Sequence, residues 1–307
     1  MALGTGHQGV VTAAEFIPEL WSDEVLAGYK KNIVLGNLVT KIAHSGKKGD
    51  TINIPVPVRG SATAKAVNTA VTLQGDTHGT KALSINKHYE YSVVIEDITE
   101  VQALSSLRRF YTDDAGYALA TQVDDDLFVE FEALGGGTVG GSSAALWEKA
   151  VIGGDGTTLY TGNSSNDSDI TDAGIRAMIL QLDNADVPMA DRVLVLPPVS
   201  MADLLGLNRF TEQQYIGDGN AIKTGKIGAI YGMDVFVTSN CPSIDSAATR
   251  IGLMFHKDAM ALVEQMGVRS QTQYKQEFLG DLFTSDTIYG VGELRDTAGV
   301  AFAVPAT

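Results

Sequence analysis

Cysteine is almost missing from this chain: among 307 residues there is one, Cys241. A lone cysteine closes no intrachain disulfide and builds no thiolate metal site, which fits folding in a reducing compartment. Long apolar runs are missing too. None approaches the roughly 20 residues that a membrane-crossing helix needs. The opening Met1-Ala2-Leu3-Gly4-Thr5-Gly6 has no charged stretch ahead of an apolar one, so neither a membrane span nor a secretory signal is expected. Basic charge is scarce: 22 Lys and Arg stand against 37 Asp and Glu, a net charge of -15 at pH 7. Tight binding to a phosphate backbone needs clustered cations, so a protein that grips nucleic acid is excluded, which does not bar nucleic acid from lying nearby.

What is present is an ordinary soluble composition, 44% hydrophobic and 19% charged. The chain is long enough to bury a sizeable core in one large domain or two ordinary ones. Glycine stands out with 33 residues, well above the roughly 7% usual in proteins, which argues for turns and extended excursions and against a compact helical bundle. Charge is uneven. Residues 1–90 carry 9 basic and 7 acidic groups, 91–134 carry 2 and 10, and the rest 11 and 20. The front of the chain is mildly positive and the remainder is not.

Along the chain, Phe16 to Leu26 opens a short amphipathic helix, with Pro18 in its first turn and acids where the helix dipole favours them, ending by about Asn32. Gly46-Lys47-Lys48-Gly49-Asp50 makes a turn. Thr51 to Val58 alternates Ile52, Ile54, Val56 and Val58 against the other face and predicts a strand. Pro55 and Pro57 cannot donate to a ladder, which confines that strand to an edge or an arm. After a small, polar stretch from Ser61 to Gly79, period-two character over Ala82–Ile95 predicts the return strand of a long, loose-tipped hairpin. Such a hairpin buries little of itself and is expected to lean on another molecule. A helix is expected over about 104–134, with Leu119, Val123, Leu127, Phe128, Phe131 and Leu134 on one face. Within it, Asp124-Asp125-Asp126 reads as a solvated helix face or, more sharply, as the partner of a neighbouring subunit's basic front.

Gly, Ser and Asn dominate 135–169, where only Ala144–Val151 looks helical, and a boundary is placed there. Beyond it helix and strand alternate. A helix carries the stripe Ile175, Met178, Ile179 and Leu182 and is capped by Asp169 or Thr171. Arg192–Leu196 is a buried strand, Pro198 opens a helix through Leu205, and further strands fall in Gly228–Thr238, Ile251–Phe255 and Thr287–Val291. The fold class is α+β.

Chemistry-bearing patterns fail on context. Gly4-Thr5-Gly6-His7-Gln8-Gly9 matches G-x-G-x-x-G, yet no strand precedes it and no helix plainly follows. Gly219–Ile227 lacks the first glycine and the magnesium-binding hydroxyl of a phosphate loop. His7, His44, His78, His88 and His256 show no ligand spacing. Asn163, Asn166, Asp167, Asp169 and Asp172 offer oxygens without the central glycine and terminal glutamate of a calcium loop, and read as a polar capped loop. No G-x-S-x-G elbow occurs, and Cys241, before Pro242, has no local histidine. No catalytic residue, cofactor or metal is expected.

Four stretches in order carry a resemblance over nearly the whole chain. They are Phe16-Ile17-Pro18-Glu19-Leu20-Trp21-Ser22 to Leu38-Val39, Gly49-Asp50-Thr51-Ile52-Asn53-Ile54-Pro55, Asp183-Asn184-Ala185-Asp186-Val187-Pro188 through Leu196-Pro197-Pro198, and Gly225-Lys226-Ile227-Gly228 to Val237. With Phe255-His256-Lys257-Asp258-Ala259 and Tyr289-Gly290-Val291 behind them, the sequence resembles the major capsid proteins of tailed bacteriophages, those of the Hong Kong 97-type fold. The resemblance implies an N-arm over 1–45, an extended E-loop hairpin over 46–95, and a peripheral domain over 96–168 with its spine helix at about 104–134. It further implies an axial domain over 169–265 and return strands of the peripheral domain over 266–307.

The same resemblance implies a coat protein and not an enzyme, self-assembling as pentamers and hexamers into an icosahedral head around double-stranded DNA. Such a protein is made in the host cytoplasm and located in the virion. Its partners would be copies of itself, a portal at one vertex, packaged DNA bound without sequence specificity and, where used, a separate scaffolding protein and a cement or decoration protein. Residues expected at contacts between subunits are Phe16, Pro18, Trp21, Lys30, Lys31, Ile52, Ile54, Pro55, Val56, Tyr89, Asp124, Asp125 and Asp126. Gly46, Gly49, Gly60, Gly75 and Gly79 are expected as hinge or tip residues.

Two departures from the family matter. No long, charged, coiled-coil segment precedes the N-arm, so a scaffold is expected as a separate protein or as a segment already removed. Lys65 and Lys81 lie near the hairpin but match no Lys–Asn crosslinking pattern, so no covalent crosslinks are expected. Two other readings stay open. An encapsulin-like compartment of the same fold would be favoured by a cargo-tagged protein in the purified shell, and an unrecognised α+β enzyme needs a pocket with convergent polar groups.

Overall fold

The computed structural model describes residues 34–44, 49–56, 60–71, 73, 79–102, 107–131, 151–156, 168–207, 228–244 and 248–306. The first elements are α1 (Leu35–Leu38), β1 (Thr40–Ala43), β2 (Thr51–Val56), β3 (Gly79–Ser84) and β4 (Lys87–Glu96). The helices α2 (Asp97–Gln102) and α3 (Leu107–Phe131) follow, then β5 (Val151–Gly153), α4 (Asp172–Asn184), β6 (Arg192–Leu196) and α5 (Pro198–Gly206). The remainder is strand: β7 (Ala229–Ile230), β8 (Met233–Val237), β9 (Ser243–Ile244), β10 (Thr249–His256), β11 (Met260–Lys275), β12 (Gly280–Glu293) and β13 (Gly299–Pro305).

These strands make three sheets. A seven-stranded sheet runs β5-β13-β10-β6-β8-β7, with β9 beside β10; a four-stranded sheet runs β1-β11-β12-β4; and β2 pairs only with β3 in a ribbon. Arg192-Val193-Leu194-Val195-Leu196 is the continuous apolar run of a strand covered on both faces. It pairs parallel with β8 and antiparallel with β10, and all five residues are buried. Its one cation is satisfied internally: Arg192 donates to the Asp183 carboxylate at 2.6 Å, the Val187 carbonyl at 2.6 Å and the Pro188 carbonyl at 2.9 Å. The helix α4 begins where Thr171 accepts the Gly174 N–H at 3.0 Å, and buries Ile175, Met178 and Leu182 against the large sheet's core. Phe131 of α3 and Phe255 of β10 stack with centroids 4.3 Å apart, so the core beneath α3 and the core of the large sheet are continuous.

Several expectations need correction. The return strand expected over Ala82–Ile95 is two strands. β3 closes the ribbon with β2, whereas β4 pairs along β12 from Lys87↔Tyr289 to Glu96↔Gly280. Val151, expected at a helix end, opens β5 instead and pairs parallel with β13. β13 lies in the large sheet between β5 and β10. The sixteen-residue β11 was not foreseen. From Gly267 to Tyr274 both of its faces are exposed, so no alternation marks it, and the ladder with β12 alone makes it a strand. The helix expected over Phe16–Asn32, the G-x-G-x-x-G match at Gly4–Gly9, and Gly219–Ile227 lie outside the described residues.

Candidate functional site

The ribbon's base and tip differ in burial. At the base, Ile52 and Ile54 of β2 turn their half-buried side chains toward Leu83, Ile85, Ala261 and Val263, a small apolar cluster of its own. The ribbon crosses β12 closely. A Cβ on Gly290 would lie 2.4 Å from the Ser84 carbonyl oxygen, so only glycine admits the crossing there, and one on Gly292 would lie 2.5 Å from the end of the Leu83 side chain, which would have to shift. Ile85 N–H donates to the Asp50 carbonyl at 2.7 Å, Gln265 donates to the Gly49 carbonyl at 3.0 Å, and Lys81 pairs with Glu293 at 3.0 Å. Toward the tip, Pro55 and Val56 are exposed and every residue from 60 to 71 is exposed, with Val67 at 88% and Leu73 beyond them at 89%. The hairpin was expected to lean on another molecule; its base leans on its own chain, through β11 and β12.

The acidic run on α3 is a second centre, and it is not a solvated face. Asp124 is fully buried and Asp126 nearly so, while Asp125 is half-buried. Asp124 accepts the backbone N–H groups of Val34 at 2.9 Å and Gly36 at 3.1 Å. Burial holds its carboxyl above the usual range, although those N–H groups pull the other way. Asp126 accepts the Tyr289 hydroxyl at 2.7 Å, Gln122 at 3.3 Å and the Tyr89 hydroxyl at 3.4 Å, and pairs with Lys87 at 3.1 Å. The rings of Tyr89 and Tyr289 lie side by side, 6.0 Å between centroids. Burial and the bond to Asp126 both raise the Tyr289 hydroxyl well above its ordinary value, so it stays a donor. Glu130, one turn on, is also raised by burial.

Thus the structure brings Tyr89 and Asp126 together and turns Asp124 inward, toward partners in the same chain. Phe16, Pro18, Trp21, Lys30 and Lys31 lie outside the described residues. Lys87 and Tyr289 were missed, but the inward turn of Asp124 was visible. At about 100° per residue, Asp124 falls between Phe131 and Phe128 inside the apolar arc of α3, and Asp126 falls beside Leu119 on the opposite side.

Among the described residues no group of three or more His, Cys, Asp or Glu could hold a metal, and no helix is long and apolar enough to cross a membrane. Cys241 is buried, and burial pushes its thiol up to about 12. Asp286 is shared by Arg269, at 2.8 and 3.1 Å, and His88, at 3.3 Å, which hold its carboxyl below the usual range.

A family model described as phage capsid protein matches residues 91–303. No curated protein matches. Solved structures do. One from Mycobacterium phage Che8 is 24% identical with a TM-score of 0.74, over 94% of this chain and 97% of that one. The capsid structure of cyanophage P-SCSP1u is 16% identical with a TM-score of 0.76, over 100% of this chain and 97% of that one. The capsid asymmetric unit of cyanophage Pam1 is 13% identical with a TM-score of 0.71, over 99% and 98%.

Proposed function

Because the chain belongs to the phage capsid protein family, we propose that copies of it close an icosahedral head as pentamers and hexamers around double-stranded DNA. It is a major capsid protein of the Hong Kong 97-type fold, a structural component of the virion and not an enzyme. The family match disfavours both the encapsulin-like compartment and the α+β enzyme. The observation that supports self-assembly most directly is the ribbon. Its base is fixed to β11 and β12, while its tip holds Val67, Val71 and Leu73 in solvent at 88, 67 and 89% exposure. Apolar side chains offered on an exposed segment fit a surface that a neighbouring subunit covers.

In this reading, residues 1–45 and 46–95 are the arm and E-loop that overlap neighbours, and Pro55 and Val56 meet them together with Phe16, Pro18, Trp21, Lys30 and Lys31. Ile52 and Ile54 shape the ribbon's base from within the chain, Tyr89 lies against Asp126 of α3, and Asp125 is the member of the acidic run that meets a basic front. A portal occupies one vertex, and a separate scaffold and a decoration protein act where the phage encodes them. With a net charge of -15, the shell leaves its DNA mobile; strongly salt-dependent binding of DNA to empty shells would contradict that. Synthesis takes place in the host cytoplasm. Neighbouring subunits are not covalently joined, so a denaturing gel of mature particles shows monomer and no ladder. The test of assembly is electron microscopy of the protein expressed alone and with its neighbouring phage genes: closed shells or rings of five and six are expected, and a persistent monomer or dimer under both conditions refutes it.

A further inference from the structure

Asp124 is wholly buried, and among the described residues no cation pairs with it. Its oxygens accept main-chain N–H groups from Val34 and Gly36, 90 and 88 residues earlier in the chain. A carboxylate removed from water without a cation is costly and persists only where donors converge on it. A carboxylate suits this place better than an amide does. It presents two accepting oxygens, whereas asparagine would turn one of them into a donor facing an N–H.

Val34–Gly36 is where the first described stretch joins the body. Val34, Leu35 and Val39 enter the main core, β1 follows in a parallel ladder with Thr40 opposite Ala261, and His44 N–H donates to the Glu264 carbonyl at 2.9 Å. On the other side of α3, about 200° around the helix, Asp126 ties the same helix to β4 and β12 through Lys87 and Tyr289. α3 is therefore a crossbeam: one carboxylate holds the sheet, and the other holds the Val34–Gly36 main chain. We propose that Asp124 is a positioning residue for assembly, fixing the Val34–Gly36 segment against α3. This rests on the capsid reading, in which residues 1–45 are the arm that reaches neighbouring subunits.

The test compares Asp124→Asn and Asp124→Ala with the exposed Asp234→Asn in the whole, unassembled protein. Hydrogen exchange is read by mass spectrometry, and closed shells are then counted by electron microscopy. The amides of Val34–Gly36 are expected to exchange at least tenfold faster in both Asp124 variants, while β6 and β13 keep wild-type protection and Asp234→Asn changes neither. The Asp124 variants should also yield several-fold fewer closed shells. Unchanged exchange at Val34–Gly36 overturns the proposal, and so does equal acceleration in β6 and β13, or local loosening with a wild-type yield of shells. If Asp124→Ala does not fold, the nearly isosteric Asp124→Asn decides; if neither folds, the group serves the whole fold and the proposal fails. A wild-type protein that never assembles refutes the capsid reading instead, with the exchange result still standing by itself.

Discussion

Two tyrosines donate to the same carboxylate, and removing their hydroxyls should have unequal effects. Tyr289 is buried and its hydroxyl lies 2.7 Å from Asp126, a good length for a bond to an ionised acceptor. Tyr89 is half-buried and its hydroxyl lies 3.4 Å away, at the margin of hydrogen bonding. A bond to a charged group contributes about 1.5–3 kcal/mol when buried, so Tyr289→Phe should destabilise the subunit by about 2 kcal/mol. Tyr89→Phe should cost under about 0.5 kcal/mol, the margin expected of changes away from such features. In both variants Lys87 at 3.1 Å still compensates the carboxylate, so neither leaves an unpaired buried charge. The difference of about 1.5 kcal/mol is roughly tenfold in the folding equilibrium. Urea unfolding of the unassembled protein, followed by circular dichroism, measures both. Equal losses, or a loss below about 0.5 kcal/mol for Tyr289→Phe, would refute the claim that this bond ties α3 to the sheet.

Gly252 faces Phe302 across β10 and β13, and a Cβ there would lie 2.3 Å from the ring; Gly252→Ala should cost about 1–3 kcal/mol by overpacking, and combining it with Phe302→Leu should recover part of that loss, which a double-mutant cycle in urea would show. The thiol of Cys241, raised to about 12 by burial, should resist a disulfide reagent at pH 8 in the folded protein and react at once in denaturant. Asp286 should lend stability that depends on Arg269. Its folded-state carboxyl lies below the ordinary value, so the contribution is complete above about pH 4 and is lost as the pH falls through the lowered folded value. The urea midpoint of Arg269→Met should therefore fall below wild type at neutral pH and approach it in acid.

How much could be seen beforehand depended on whether a residue's surroundings were local. The stripe Ile175, Met178 and Leu182, the Thr171 cap and the run Arg192–Leu196 were legible because helix periodicity, capping and an uninterrupted apolar strand are properties of a few consecutive residues. The acidic run misled because like charges side by side were taken as one surface, although α3 sends Asp124 and Asp126 to opposite sides. Lys87 and Tyr289 belong to strands 200 residues apart in sequence and meet Asp126 only through the β4–β12 ladder.

By itself, then, the sequence determined the α+β class, the elements α4 and β6, the edge character imposed by Pro55 and the acidic net charge. It also carried the ordered segments by which the family was recognised. Tertiary structure decided pairing. Alternation over Ala82–Ile95 is satisfied equally by one strand or two, since each half needs only one covered face, and only the packed chain sends β3 to the ribbon and β4 to β12. The same holds for the two buried carboxylates, whose charge is tolerable only where distant N–H, hydroxyl and ammonium groups converge. No window of neighbouring residues contains that convergence.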